Sequence, residues 1–345
     1  MLAIHDRPGS FSDKWIEYCE KQCLSYKIVN CYSSDIIEQM SNCDGLMWHW
    51  GHNDHKAALF ARQLTYSLEA SGKYVFPSAA TVWHFDDKVG QKYVLDSIDA
   101  PIVPSYVFYG KQEALSWAES ANFPKVFKLR GGAGAENVRI AKTRKEAESF
   151  IRKAFGRGFK VKNRLNFLKE RLWHFKRDRS VKSFLNISKG LARLLLPASA
   201  ERNFLRERNY AYFQDFIPNN DSDIRVIVIG KRAFAIKRMV REGDFRASGS
   251  GQIIYDPAQI PQECIKIAFE ISKRLGSQCL AYDFVFEGYQ PLVVELSYSF
   301  ARKVYLPCPG YWTEQLEWVE GNFFPEFFMA EDFAELCDTR EGHDL

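Results

Sequence analysis

One stretch, AYDFVFEGYQPLVVELSYS at residues 281–299, constrains this chain more than any other. Two apolar runs, Leu280–Phe286 and Leu292–Leu296, flank Glu287-Gly288-Tyr289-Gln290, and that pattern predicts two antiparallel strands joined by a tight turn. Each run holds one acid, Asp283 in the first and Glu295 in the second. A carboxylate inside a buried strand is costly without a partner. Antiparallel pairing can bring the two acids to one face, the arrangement that Mg²⁺-assisted phosphate chemistry uses. Two unrelated acids at a sheet edge are the plain alternative.

The rest of the chain alternates between strand and helix signals. Residues 1–77 read as a small parallel α/β lobe: strands at Met1–His5, Tyr26–Cys31, Gly45–Trp48 and Lys73–Phe76, and helices at Asp13–Gln22, Asp35–Met40 and Lys56–Ala70. The last helix places Ala57, Leu59, Phe60, Leu64 and Leu68 near one face. Thr81–Ser97 reads as mostly helical, Ser105–Phe108 as a strand and Glu113–Ala121 as a helix. Lys125–Leu129 and Asn137–Ala141 are strands around a glycine loop, Gly131-Gly132-Ala133-Gly134-Ala135. Strands return at Tyr210–Phe213, Arg225–Ile229, Arg232–Lys237 and Gly251–Tyr255, a helix follows at Pro261–Leu275, and an aromatic tail ends in a charged helix. Three regions result: 1–77, 78–208 with a basic insertion at about 152–208, and 209–345.

Two further features bear on chemistry. Lys88 and Lys128 lie on separate elements, Lys128 on the strand that enters the glycine loop. Lysine tips neutralise phosphates, and glycines let backbone N–H groups approach them. The loop lies between strands and lacks the G-K-[ST] ending of a P-loop, so alone it is a weak signal. In YFQDFIPNNDSDIR, a strand ends at Gln214-Asp215-Phe216-Ile217, Pro218 breaks it, and Asp223 and Arg225 open the next strand. Exposed backbone at such a strand end can bond an adenine edge; an ordinary crossover is the plain reading.

These pieces, in this order, resemble the ATP-grasp superfamily, closest to carboxylate–amine ligases related to ribosomal-protein glutamate ligases and D-alanine–D-alanine ligase. The resemblance covers about 78–300. It implies an α/β and α+β protein: an ATP-grasp fold behind an N-terminal α/β lobe, here with a basic helical insertion. It implies ATP and Mg²⁺ (or Mn²⁺) as cofactors. Lys88 and Lys128 would meet the phosphates, and Gly131, Gly132 and Gly134 would form the loop over them. Gln214, Asp215, Phe216 and Ile217 would form the hinge that grips adenine, with Asp223 at the ribose. Arg225, Lys237 and Arg246 would steady phosphate and acyl phosphate. Asp283 and Glu295 would hold metal, joined by Ser297 where relatives carry Asn. The implied activity is ADP-forming amide-bond synthesis between a small carboxylate and an amine. The tail, CPGYWTEQLEWVEGNFF, resembles more loosely ATP-grasp proteins of bacterial surface-polysaccharide clusters, which implies a sugar-linked substrate; core packing is the plain reading of Tyr311, Trp312 and Trp318.

Charge is unevenly spread. The formal net charge is +4, yet residues 152–208 hold seventeen Lys/Arg against four acids, so the remainder is net acidic. Mixed with apolar residues, this basic segment suits an anionic membrane surface, with RNA or an acidic protein as a second option and a solvated cap as the plain one. No nucleic-acid partner is expected. The eight cysteines form no C-x-x-C pair and read as reduced thiols of a cytoplasmic protein. No apolar run reaches the length of a membrane span, and the N-terminus lacks a signal-peptide layout. His49, His52 and His55 read as part of a substrate-facing loop rather than a metal site. A ligase acting on a protein or peptide, and a nucleotide sensor without chemistry, are the competing readings.

Overall fold

A computed structural model describes residues 1–52, 54–132, 137–160, 206–240 and 251–341. The chain divides into two compact units, one of residues 1–85, 90–103 and 217–345, the other of residues 86–89 and 104–216.

The first unit opens with the expected parallel lobe. Its elements are β1 (Leu2–His5), α1 (Ser12–Lys21), β2 (Tyr26–Val29), α2 (Ile36–Gln39), β3 (Gly45–Met47), α3 (Ala57–Ala70) and β4 (Tyr74–Phe76). The strand order is β2-β1-β3-β4, with every pair parallel. All four residues of β1 are buried, as a strand covered on both faces requires. In α3 the apolar face is narrower than its sequence suggests: Ala57, Ala61, Leu64 and Leu68 are buried, whereas Leu59 is 76 % exposed.

The segment expected to be mostly helical, Thr81–Ser97, falls into two helices, α4 (Ala79–Val82) and α5 (Lys88–Ser97). Asp86 between them takes φ +56°, a left-handed conformation that a continuous right-handed helix excludes.

The second unit contains β5 (Ser105–Phe108), α6 (Lys111–Ser120), β6 (Lys125–Lys128), β7 (Val138–Ala141), α7 (Arg144–Ala154), β8 (Phe159–Lys160), β9 (Arg206–Glu207) and β10 (Ala211–Asp215). The sheet order is β5-β10-β6-β7, antiparallel throughout. Phe108, Phe127 and Phe213 pack with Ala118 and Ile151 of the helices. By the period of two, Val126, Lys128, Tyr212 and Gln214 lie on the other face. Because β10 belongs to this sheet, the unit ends at Phe216 rather than near residue 208. Most of the basic insertion, and the helices expected in it, lie outside the described residues.

The first unit resumes with β11 (Ser222–Ile229), β12 (Arg232–Met239), β13 (Ile253–Ile254), α8 (Gln262–Leu275), β14 (Cys279–Glu287), β15 (Gln290–Ser297), β16 (Gly310–Thr313), β17 (Trp318–Glu320) and α9 (Pro325–Glu341). The sheet runs β15-β14-β11-β12-β16-β17, with β13 on β12. Its two faces have different fillings. Ile224, Val226, Leu280, Tyr282 and Phe284 share a core with Ile265, Ala268 and Phe269 of α8. Ile227, Ile229, Phe234, Ile236 and Ala281 share the other core with Trp15, Tyr305, Met329 and Phe333. Among the described residues no helix is long and apolar enough to cross a membrane. All eight cysteines are free.

The β16–β17 hairpin was not expected from sequence. Gly310 permits it: a Cβ there would come within 2.3 Å of the Val319 carbonyl and 2.5 Å of the Trp318 ring. Gly310→Ala should lower stability by about 1–3 kcal/mol, the range for overpacking a filled site. A urea melt checks this, and an unchanged midpoint would contradict the packing described.

Candidate active site

The two acids of the constraining motif meet as the pattern required. β14 and β15 pair antiparallel with Asp283 opposite Glu295. The register then shifts between Asp283 and Phe284, so that Phe284 faces Val293 and Val294 becomes the extra residue of a bulge beside the acids. On the other side of β14, Asp283 lies opposite Arg225 of β11, and Arg225 opposite Ile236 of β12. Glu295, Asp283 and Arg225 therefore form one rung across the sheet. Ser297, opposite Ala281, lies two residues along on the same face. β15 is an edge strand, and Gln91 covers it there: its side-chain amide accepts from the Leu296 N–H at 3.1 Å and donates to the Leu296 carbonyl at 2.9 Å.

Asp283 is engaged by two cations. Arg225 donates to both its oxygens, from Nε at 2.5 Å and from Nη2 at 3.0 Å. Arg238 Nη2 stands 3.0 Å from Asp283 Oδ1. Arg238 also donates to both oxygens of Asp223, at 2.7 and 2.5 Å. Burial by itself would raise the Asp283 carboxyl; Arg225 and Arg238 outweigh it and hold the group down at about 2. For Asp223, burial pushes the carboxyl up against the pull of Arg238. Arg238 is a site residue that the sequence reading passed over. A signal existed: centring the β11–β12 turn on Gly230-Lys231 pairs Ile229 with Arg232 and, six rungs on, Asp223 with Arg238.

Lys237 departs from this cluster. It pairs with Ile224, whose side chain belongs to the α8 core, so it lies on the opposite face from Asp283. Asp223, expected at a ribose, has both oxygens on Arg238. Ser297 donates its hydroxyl proton to the Ser299 carbonyl at 2.7 Å, which leaves its oxygen lone pairs for other use. Arg246 and Gly134 lie outside the described residues.

The second unit gathers the phosphate-type residues. Lys88 and Lys128 are each 5 % exposed. Lys88 Nζ donates to the Gly132 carbonyl at 2.9 Å, and its backbone N–H bonds to the Arg130 carbonyl at 3.0 Å. Lys128 Nζ donates to Gln214 Oε1 at 2.5 Å, and Gln214 Nε2 donates to Ser105 Oγ at 3.0 Å. The Gly132 N–H bonds to Asp86 Oδ1 at 2.6 Å. Gly132 takes φ +116°, and a Cβ there would lie 2.4 Å from Asn137 Nδ2, so only glycine suits the position. Gly131 also approaches Asp86 closely. Asp215 bonds Lys125 at 2.5 Å, and by strand alternation it lies on the face opposite Gln214. The chain passes from the second unit to the first between Phe216 and Ile217.

The histidine loop leads into the same first unit. His49 is 7 % exposed and stacks on Phe11 at 3.7 Å between ring centroids. Its Nδ1 accepts from the Phe11 N–H at 3.3 Å, so Nε2 carries the proton and donates to Ser299 Oγ at 2.9 Å. Burial, then Arg7 and Arg302, lower its pKa to about 3, and it stays neutral. Tyr298 OH donates to the Trp50 carbonyl and accepts from the Trp50 N–H. The segment after Glu295 is thus bonded to the C-terminal end of β3, beside the point where the parallel lobe reverses strand order. The tail aromatics pack inward: Trp312 is 5 % exposed against Trp318, and Tyr311 meets Phe323 and Phe328.

Among the described residues no group of three or more His, Cys, Asp or Glu side chains could hold a metal. The Asp283–Glu295 pair fits Mg²⁺ instead, which binds through one or two carboxylates and completes its shell with phosphate and water.

The model of the RimK-like ATP-grasp domain matches residues 188–305. An uncharacterized Mycoplasma pneumoniae protein, the MG012 homolog, is 22 % identical over 219 residues, 62 % of this chain and 69 % of its own. D-cycloserine synthetase is similar in fold, with 13 % identity, a TM-score of 0.59 and coverage of 97 % of this chain and 99 % of that one. D-alanine–D-alanine ligase from Bacillus anthracis is also similar, with 13 % identity, a TM-score of 0.54 and 98 % coverage of each chain.

The Asp283 carboxyl sits below its ordinary value of 3.8, so its pairing stabilises the fold above about pH 4 and that contribution fades as pH falls toward 2. Asparagine resembles the protonated acid. Asp283→Asn should therefore cost on the order of 2 kcal/mol at pH 6, with the gap to the unaltered protein narrowing as pH drops below 4. Urea melts across that range check it; a gap that stays constant with pH would contradict the ion-pair assignment.

Proposed function

We propose that this chain is an ATP-grasp enzyme, an ADP-forming ligase that joins a small-molecule carboxylate to an amine through an acyl phosphate. The observation that carries the reading is the rung of Glu295, Asp283 and Arg225: two acids suited to Mg²⁺, side by side, with a half-buried guanidinium beside them. Lys88 and Lys128 around the glycine loop supply the cations a triphosphate needs.

In this reading Lys88 and Lys128 neutralise phosphate oxygens, and the loop N–H groups bond them. Gln214–Ile217 offers backbone groups to the base. Asp283 and Glu295 would hold Mg²⁺, which when bound spreads the charge that builds on the transferred phosphoryl group. Arg225 supports the same charge, Asp223 orients Arg238, and Arg246 supplies a further cation. An oxygen of the substrate carboxylate attacks the γ-phosphorus, the bond to the β–γ bridging oxygen breaks, and ADP leaves. The amine then attacks the carbonyl carbon. Phosphate departs with the electrons of the C–O bond, and the nitrogen gives up a proton. Positioning and charge do most of this work, which accounts for a site without a Ser/His/Asp arrangement.

Substrate carboxylate and amine are assigned to the crevice at the C-terminal ends of β1 and β3, on which the segment from Tyr298 to Ser299 is fastened. A sugar-linked acceptor, in a cytoplasmic enzyme of surface-polysaccharide synthesis, is the finer form of this proposal; its support is the loose likeness of the tail.

The test is release of ADP and phosphate from ATP and Mg²⁺ against a panel of amino acids, amino sugars, uronic acids and peptides. Hydroxylamine in place of the amine should trap the activated acid as a hydroxamate. Release should require both substrates, fall about 100-fold or more in Lys128→Ala, and vanish in Glu295→Ala. Tight ATP binding without turnover on any pair, and no hydroxamate, would favour a sensor and sink the ligase reading.

A further inference from the structure

Tyr305 follows the metal-type strand by a short turn and enters neither the motif nor the resemblance. Its side chain is 1 % exposed, with Phe300 packed edge-on at 5.3 Å between ring centroids. Its hydroxyl has no hydrogen-bond partner among the described residues. Tyr305 packs in one core with Ile227, Ile236 and Ala281, which alternate along their strands with Arg225, Arg238 and Asp283 on the same face of the sheet, the cluster that surrounds the candidate cation ligand. A phenylalanine would fill the same space and leave no buried polar atom without a bond, so for packing alone the hydroxyl is a cost.

The cluster explains what the hydroxyl can do. Asp283 accepts from Arg225 Nε and Nη2 and stands within bonding distance of Arg238 Nη2. Oδ1 faces both arginines, so if it turns toward a divalent cation, at least one of these N–H groups loses its acceptor. Arg238 is buried and Arg225 half-buried, and a bare guanidinium N–H there is unfavourable. Asp223 already takes two bonds from Arg238. The Tyr305 oxygen brings two lone pairs and no charge, and its proton can in turn go to a carboxylate oxygen.

We propose that Tyr305 is a positioning residue of the cation site, its hydroxyl accepting the arginine N–H that Asp283 releases when it takes up a divalent cation. The inference rests on the metal role given above to Asp283 and Glu295, and extends it to a residue outside the motif. Tyr305 touches neither substrate nor reacting atoms in this account. It tunes how readily Asp283 exchanges an arginine for a metal ion.

The experiment uses the full chain, ADP and Mn²⁺, with free Mn²⁺ followed by electron paramagnetic resonance. Tyr305→Phe should melt at or above the temperature of the unaltered protein. Its half-saturating Mn²⁺ should rise about fivefold, the value of roughly one hydrogen bond, while metal-free ADP binding stays within about twofold. Asp283→Asn should abolish uptake in either background. Equal Mn²⁺ affinity in Tyr305→Phe and the unaltered protein would overturn the inference and leave the ligase reading standing. A lowered melting temperature would overturn it too, because the hydroxyl would then have a structural partner. No Mn²⁺ uptake by the unaltered protein with ADP would instead overturn the metal reading itself.

Discussion

The bond between Arg225 and Asp283 organises the larger unit. It joins two adjacent strands of the large sheet at a rung that also carries Glu295. Much of what flanks that rung is apolar: Tyr282 and Phe284 point into the α8 core, and Ile227 and Ala281 into the other. A carboxylate survives in such surroundings only when matched, and here two guanidiniums match it. The same match keeps the acid ionised, as the ligand role proposed for it requires. Stability and chemistry thus draw on one pair of side chains.

The two units divide the chemistry by residue type. The smaller holds the lysines and glycines, each lysine already bonded to a neutral oxygen, of Gly132 or of Gln214. Those bonds fix long side chains that would otherwise lose entropy on meeting a phosphate. The larger unit holds the acids, the arginines and the parallel lobe. Its lobe is tied to the segment after Glu295 by His49, Tyr298 and Ser299. His49 can serve there because it remains neutral, with one nitrogen accepting and the other donating.

Much of this was legible in the sequence, for identifiable reasons. The 280–296 strand pair could be read because its turn fixes the register, and the register fixes which acids meet. The glycine hairpin could be read in the same way. Arg238 was missed because the strand was ended at Lys237; applying the register from Gly230-Lys231 one rung further would have found Asp223 opposite it. Lys237, which the resemblance sets beside Arg225, lies by strand alternation on the other face. The break between α4 and α5 depends on a left-handed Asp86, which no periodicity announces. The β16–β17 hairpin is short, and its aromatics spell core packing whatever their secondary structure. Tyr305 carries meaning only through what surrounds its hydroxyl, and that is a property of the folded chain.

The central claim is that Lys128 and Asp283 each contribute to the binding of ATP with Mg²⁺. Calorimetric titration of ATP into the unaltered protein, with and without Mg²⁺, tests it most directly when repeated in Lys128→Ala and Asp283→Asn. The account predicts saturable binding that Mg²⁺ strengthens, weakened in Lys128→Ala at any metal concentration and insensitive to Mg²⁺ in Asp283→Asn. Saturable ATP binding that ignores both substitutions, or no binding at all, would contradict it.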